Sequence, residues 1–208
     1  MLCLKVPTDA AWAAGALRDV DGVLVDHAHC EMKAASNALS LATRHLADTH
    51  IVQAMTDLAR EEIEHFQQVL ALLVARGVPL GPPPVDAYAA ELRRVASGVH
   101  RGRTETQALV DRMLVGALIE ARSCERFKLL ADAAADAPEH RALAPFWSAL
   151  LAAEARHYRL FVDLAERVAG GDRAAVSARL AWLADAEGKI VQDLARRGGD
   201  GPRATIHG

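Results

Sequence analysis

LAREEIEHF (58–66) and LLAAEARHYRLF (150–161) each contain Glu-x-x-His followed by an aromatic residue: Glu62, His65 and Phe66 in the first, Glu154, His157 and Tyr158 in the second. On an α-helix a spacing of three leaves two side chains about 60° apart on one face and ~4.5 Å apart along the axis. A carboxylate and an imidazole so placed can reach one metal ion. Composition alone predicts about half of one such pair by chance in this chain, so the count decides little and the context must decide.

The context is helical. Alanine, leucine and arginine dominate, isoleucine is scarce, and no stretch alternates apolar and polar residues between hairpin turn signals. Cap residues and breakers divide the chain. Thr8-Asp9 starts a short helix ending near Asp19. A long helix follows from about Val20 to Ala47. Asp48-Thr49 caps a second long helix, which runs to Arg76 and stops at Gly77. GVPLGPPP (77–84) holds four of the eight prolines and reads as an extended connector. A short helix spans Asp86 to Ser97. Thr104 opens a third long helix to about Ala134, and a fourth covers Pro138 to Ala169, with Pro145 as either a kink or its true first turn. Asp172 caps a last helix to Ala195. Residues 196–208 read as a loose polar tail. Four long helices with apolar stripes bury those stripes best as a four-helix bundle, and the connector over 77–103 is long enough to travel its length. The expectation is an all-α, ferritin-like four-helix bundle with one long crossover and short extra helices, forming a single domain over 1–195.

Each of the other two long helices contributes one acid from an apolar setting. Glu31 lies among Ala28, Ala34 and Ala35, 31 residues before Glu62. Glu120 lies among Leu118, Ile119 and Ala121, 34 residues before Glu154. A carboxylate on a buried stripe is costly unless it is paired or bound to metal. Glu31, Glu62, His65, Glu120, Glu154 and His157 thus match the di-iron or di-manganese carboxylate set of such bundles. Glu125 competes with Glu120, but five residues turn a helix by about 140°, so both cannot face one site. Glu120 has the more apolar flanks. Glu125 reads as a surface ion-pair partner of Arg122 or Arg126. His27, one turn before Glu31, reads as a hydrogen-bonded histidine rather than a ligand, and Cys124 as a small buried apolar group.

DHAHCEMKAASNAL (26–39), LAREEIEHF (58–66), LIEARSCERFKLLA (118–131) and LLAAEARHYRLF (150–161) resemble the tRNA 2-methylthio-N6-isopentenyladenosine hydroxylases, the MiaE family, over nearly all of residues 5–195. Glu61 before Glu62 and Arg156 before His157 divide between the two motifs the acid-Glu-x-Arg-His pattern frequent in di-iron oxygenases. The resemblance implies a non-haem di-iron monooxygenase with two Fe ions and O2 as co-substrate. It would hydroxylate the isopentenyl group of a modified adenosine in tRNA and draw on a separate electron donor. Glu62 and Glu154 would bridge the metals.

The remaining features bound the alternatives. The formal net charge is −3, so RNA contact must come from a local patch. Arg93, Arg94, Arg101, Arg103 and Arg112 are the leading candidates, and Arg196, Arg197 and Arg203 the next. No apolar run is long enough for a membrane span, no secretory pattern opens the chain, and three cysteines without a CxxC suit a reducing cytoplasm. A ferroxidase or iron-storage role and a quinone hydroxylase of the same fold are the competing readings. The second would need a membrane-binding apolar face with a basic rim, and the sequence offers none.

Overall fold

The computed structural model describes residues 2–9, 11–83, 85–98, 102–197 and 205–206. Among them every regular element is a helix: α1 (Ala11–Arg18), α2 (Val20–Arg44), α3 (Thr49–Ala75), α4 (Ala87–Gly98), α5 (Glu105–Asp136), a 3-10 turn (Arg141–Leu143), α6 (Ala144–Val168) and α7 (Arg173–Arg197). The described residues divide into two compact units, one formed by 18–85 with 205–206, the other by those up to 17 and from 86 to 197.

The first unit is the α2–α3 hairpin. The Asp19 carboxylate accepts from the Gly22 N–H and starts α2; Asp48 accepts from the N–H groups of His50 and Ile51 and starts α3. The expected end of α2 at Ala47 moves back to Arg44, because a turn is needed before the Asp48 cap. Gly77, at φ 68°, ends α3: its N–H reaches the Val74 carbonyl and that of Val78 the Leu73 carbonyl. This is the left-handed closure that glycine adopts without strain. Val23, Leu24, Ala28, Ala35, Ala38 and Leu41 of α2 and Ile51, Met55, Leu58, Val69 and Leu73 of α3 are buried. From the expected loose tail, Ile206 is buried (1% exposed) and its N–H donates to Asp26 at 2.7 Å.

The second unit is built on the α5–α6 hairpin, with α4 and α7 packed on it. A reciprocal capping box between Thr104 and Gln107 starts α5. Pro145 sits in the first turn of α6, so it opens that helix rather than kinking it. The preceding residues form the 3-10 turn, which shortens the helix expected from Pro138. Gly116 on α5 lets the two helices approach closely, since a Cβ there would lie 2.9 Å from the Phe161 ring of α6.

A buried ionic network ties the N-terminal segment to this unit. The Arg122 guanidinium, fully buried, donates to the Glu187 carboxylate of α7 at 2.8 and 3.0 Å, to Glu125, and to the Val6 carbonyl at 3.0 Å. Thr8 donates to Glu125 through its N–H (3.0 Å) and its hydroxyl (2.6 Å). The Tyr88 hydroxyl of α4 donates to Glu187 at 2.9 Å. Burial, reinforced by the Glu187 charge, raises the Tyr88 pKa well above the usual value, so the phenol stays a donor. Glu125 is 3% exposed. The expected surface ion pair with Arg122 is therefore real, but it lies in the core.

Candidate metal centre

Each unit holds one cluster of candidate metal ligands. In α2–α3, Glu31, Glu62 and His65 are buried and their donor atoms lie within 4.8 Å of one another. His65 Nδ1 stands 3.3 Å from a Glu62 oxygen and 3.7 Å from a Glu31 oxygen. In α5–α6, Glu120, Glu154 and His157 are likewise buried, with donor atoms within the same limit. His157 Nδ1 stands 3.5 Å from a Glu154 oxygen. The two halves repeat one plan: a lone acid on the first helix of a hairpin and Glu-x-x-His on the second.

These spacings suit an ion better than hydrogen bonds. A good N–H···O bond is about 2.9 Å long, and 3.5 Å or more is contact without one. Around a six-coordinate divalent ion with bonds of ~2.1 Å, adjacent donors stand ~3 Å apart. Each half also gathers two carboxylates in a low-dielectric setting, where their mutual repulsion calls for a cation. The sites carry hard oxygen donors and one imidazole each, a set suited to iron or manganese.

Neighbouring residues hold this arrangement. His27, fully buried, places Nε2 2.5 Å from a Glu31 oxygen, one turn along α2. This is the hydrogen-bonded histidine expected there, and such a partner fixes a ligand's orientation. Leu58, Ala59, Leu118, Ala121, Leu150 and Ala153 are buried beside the motifs in sequence. Burial, then the charge of Glu154, pushes the Cys124 thiol up to about 12. It remains a neutral, small apolar group. On α6, Phe161 follows His157 by one turn and its ring fills the space over Gly116, itself one turn before Glu120. Gly116→Val is expected to cost about 1–3 kcal/mol through overpacking and to loosen metal retention by displacing Glu120 from Glu154 and His157. Chemical denaturation and metal content after dialysis read the two effects.

The family model for tRNA-(MS[2]IO[6]A)-hydroxylase (MiaE) matches residues 1–198. The chain belongs to the MiaE family. A MiaE relative in Pseudomonas putida, named tRNA 2-(methylsulfanyl)-N(6)-isopentenyladenosine(37) hydroxylase, is 41% identical over 91% of this chain and 86% of its own length. A protein of the same name in Salmonella typhimurium is 29% identical over 90% of this chain and 83% of its own. A solved structure, protein 43 with aldehyde deformylating oxygenase activity from Synechococcus, superimposes with TM-score 0.82 at 40% identity, covering all of this chain and 96% of that one. The all-α, ferritin-like fold expected from the sequence stands.

The basic residues considered for RNA contact fare differently from one another. Arg93 and Arg94 are exposed on α4, Arg94 paired with Glu91. Arg103 turns inward: it donates to the carbonyls of Ala96 (2.6 Å) and Gln107 (3.0 Å) and pairs with buried Asp111. Arg101 and Arg203 lie outside the described residues, as does the side chain of Arg197. No helix among the described residues is long and apolar enough to cross a membrane.

The sequence reading passed over Thr8, Arg122 and Glu187 as a connected group. Glu187 was detectable in principle. It sits on the apolar stripe Leu180, Leu183, Ala184, Glu187, where a charge demands a partner.

Proposed function

We propose that this MiaE-family chain is a cytoplasmic, non-haem di-iron monooxygenase. It hydroxylates the isopentenyl group of 2-methylthio-N6-isopentenyladenosine in tRNA. One atom of O2 enters a C–H bond and the other leaves as water, with two electrons and two protons from an external donor. The observation that carries the proposal is the duplicated, buried half-set of one acid plus Glu-x-x-His in a chain of this family. Glu31, Glu62 and His65 would hold iron in one half-set, and Glu120, Glu154 and His157 in the other, within a single domain over 1–195. Bound iron would supply the reductive activation of O2 that no protein side chain offers.

The protein's own part is binding, orientation and exclusion of water. Glu31 and Glu120 would each add a carboxylate to their half-set, and His27 holds the Glu31 carboxylate in place through its Nε2. The apolar side chains beside the motifs suit a prenyl tail and keep bulk water from the reaction. A stacked base cannot enter a packed bundle, so the adenosine must be presented unstacked from the loop.

Anaerobic loading with ferrous iron is expected to leave about two irons per chain. Nucleoside analysis should then show conversion of the prenylated adenosine in tRNA and no reaction on unprenylated tRNA. The activity named for the Synechococcus neighbour supplies the control substrate. Consumption of an aliphatic aldehyde, with prenylated tRNA untouched under a competent reductant, would overturn the substrate while leaving the oxygenase. Uptake of many irons per chain with neither substrate consumed would favour storage instead.

A further inference from the structure

At the N-terminal ends of α5 and α7 the second unit has a cavity of about 360 Å³, lined by Arg103, Thr106, Val110, Asp111, Ala175 and Arg179 among others. The volume is that of a small-ligand site. Its polar wall is held rigidly. Asp111, 4% exposed, accepts from Arg179 Nε (2.9 Å) and Nη2 (2.6 Å) and pairs with Arg103; both guanidiniums also reach the Ala96 carbonyl at the end of α4. Arg179 Nη1 enters no hydrogen bond among the described residues. The Arg179 guanidinium lies 4.4 Å over the ring of Trp182, and that indole is 40% exposed. A tryptophan left open to solvent, with a fixed guanidinium on one part of its ring, is a stacking platform.

We infer that this cavity and the Arg179–Trp182 stack take a nucleotide of the substrate RNA that flanks the modified adenosine. The inference rests on the tRNA reading above and adds a site to it. Charge decides how the site reads its ligand. Arg103 and Arg179 are offset by Asp111 and by Asp172, whose carboxylate accepts from the Ala175 N–H at the start of α7. With no net positive charge, the site gains little from phosphate neutralisation and works through the base, by stacking and by the free Nη1 donors. Its position fits a neighbour in the same strand. Val110 lies ten residues before Glu120 on α5, about 15 Å along the axis and a quarter-turn round it. Roughly four stacked nucleotides, or fewer when splayed, cover that distance.

The test is direct binding of an anticodon stem-loop RNA carrying the prenylated adenosine to the full chain. Trp182→Ala is expected to weaken binding about tenfold, the size of one lost base stack, with the slope of log K against log salt unchanged. Trp182→Phe should retain most of the affinity but lose the tryptophan quenching that RNA produces in the parent. Ala175→Leu, which fills the cavity without adding charge, should weaken binding to a similar degree. If the parent binds and hydroxylates tRNA while Trp182→Ala and Ala175→Leu bind the stem-loop as the parent does, the inference is wrong and the substrate reading survives. Competition by adenosine monophosphate at concentrations matching the RNA would make this a free-nucleotide site and overturn it too. Failure of the parent to bind or modify any prenylated RNA removes the substrate reading itself.

Discussion

Glu120→Ala is expected to fold normally, to lose metal from the α5–α6 half-site and to have no measurable hydroxylase activity, whereas Glu125→Ala is expected to keep its ligands and lose stability. Both acids are buried on one helix, at 6% and 3% exposure, and their surroundings separate them. Glu120 shares its space with Glu154 and His157. Removing it takes one carboxylate out of a buried cluster and relieves part of its mutual repulsion, so the apo-protein should be no less stable than the parent. Glu125 instead balances Arg122 and receives both donors of Thr8. Without it a buried guanidinium loses one of two counter-charges, at about 1–3 kcal/mol. Metal analysis and denaturation of both variants decide the matter; the opposite assignment of effects would put the wrong face of α5 toward the metal.

The largest effect on folding should come from Glu187→Ala. It removes the acceptor of two guanidinium nitrogens and of the Tyr88 hydroxyl in one step. Breaking a buried ion pair from one side typically costs about 3–5 kcal/mol, because the surviving charge stays desolvated. That is a large part of the stability of an ordinary domain. The triple variant Arg122→Met, Glu125→Gln, Glu187→Met should recover a good share of it, since no charge of the network is then left buried without its counter-charge. Urea titration of the single and triple variants measures this. A single variant as stable as the parent would mean the network is dispensable.

The elements that sequence made legible are those with local causes. Asp9, Asp48, Asp86, Thr104 and Asp172 announce helix starts because a side-chain oxygen meets N–H groups two or three residues on; the Asp19 cap of α2 reads in the sequence as a helix end instead. The buried Glu/His clusters are legible because helical spacing puts Glu and His on one face, and because Glu31 and Glu120 stand out against alanine and leucine. What escaped depends on contacts distant in sequence. Arg103 looks like part of a basic run, yet Ala96 and Asp111 draw it inward. Glu125 looks like a surface acid until Thr8, 117 residues away, is seen against it. No periodicity within a helix reports such a partner.

The same long-range contacts order events during synthesis. Helices α2 and α3 lie in one uninterrupted stretch, residues 18–85, which residues 205–206 join only later, so the two helices can pair as soon as both have left the ribosome. The other unit is assembled from more distant pieces: Val6 and Thr8 emerge first, Arg122 follows 114 residues after Thr8, and Glu187 of α7 comes later still. At about 5–20 residues per second, the N-terminal segment waits on the order of ten to forty seconds for its partners. Val6 then seats against Gly188, where a Cβ would lie 2.7 Å from its side chain. The N-terminal segment is thus secured only after α7 has emerged, whereas the α5–α6 hairpin carrying Glu120, Glu154 and His157 can close before it.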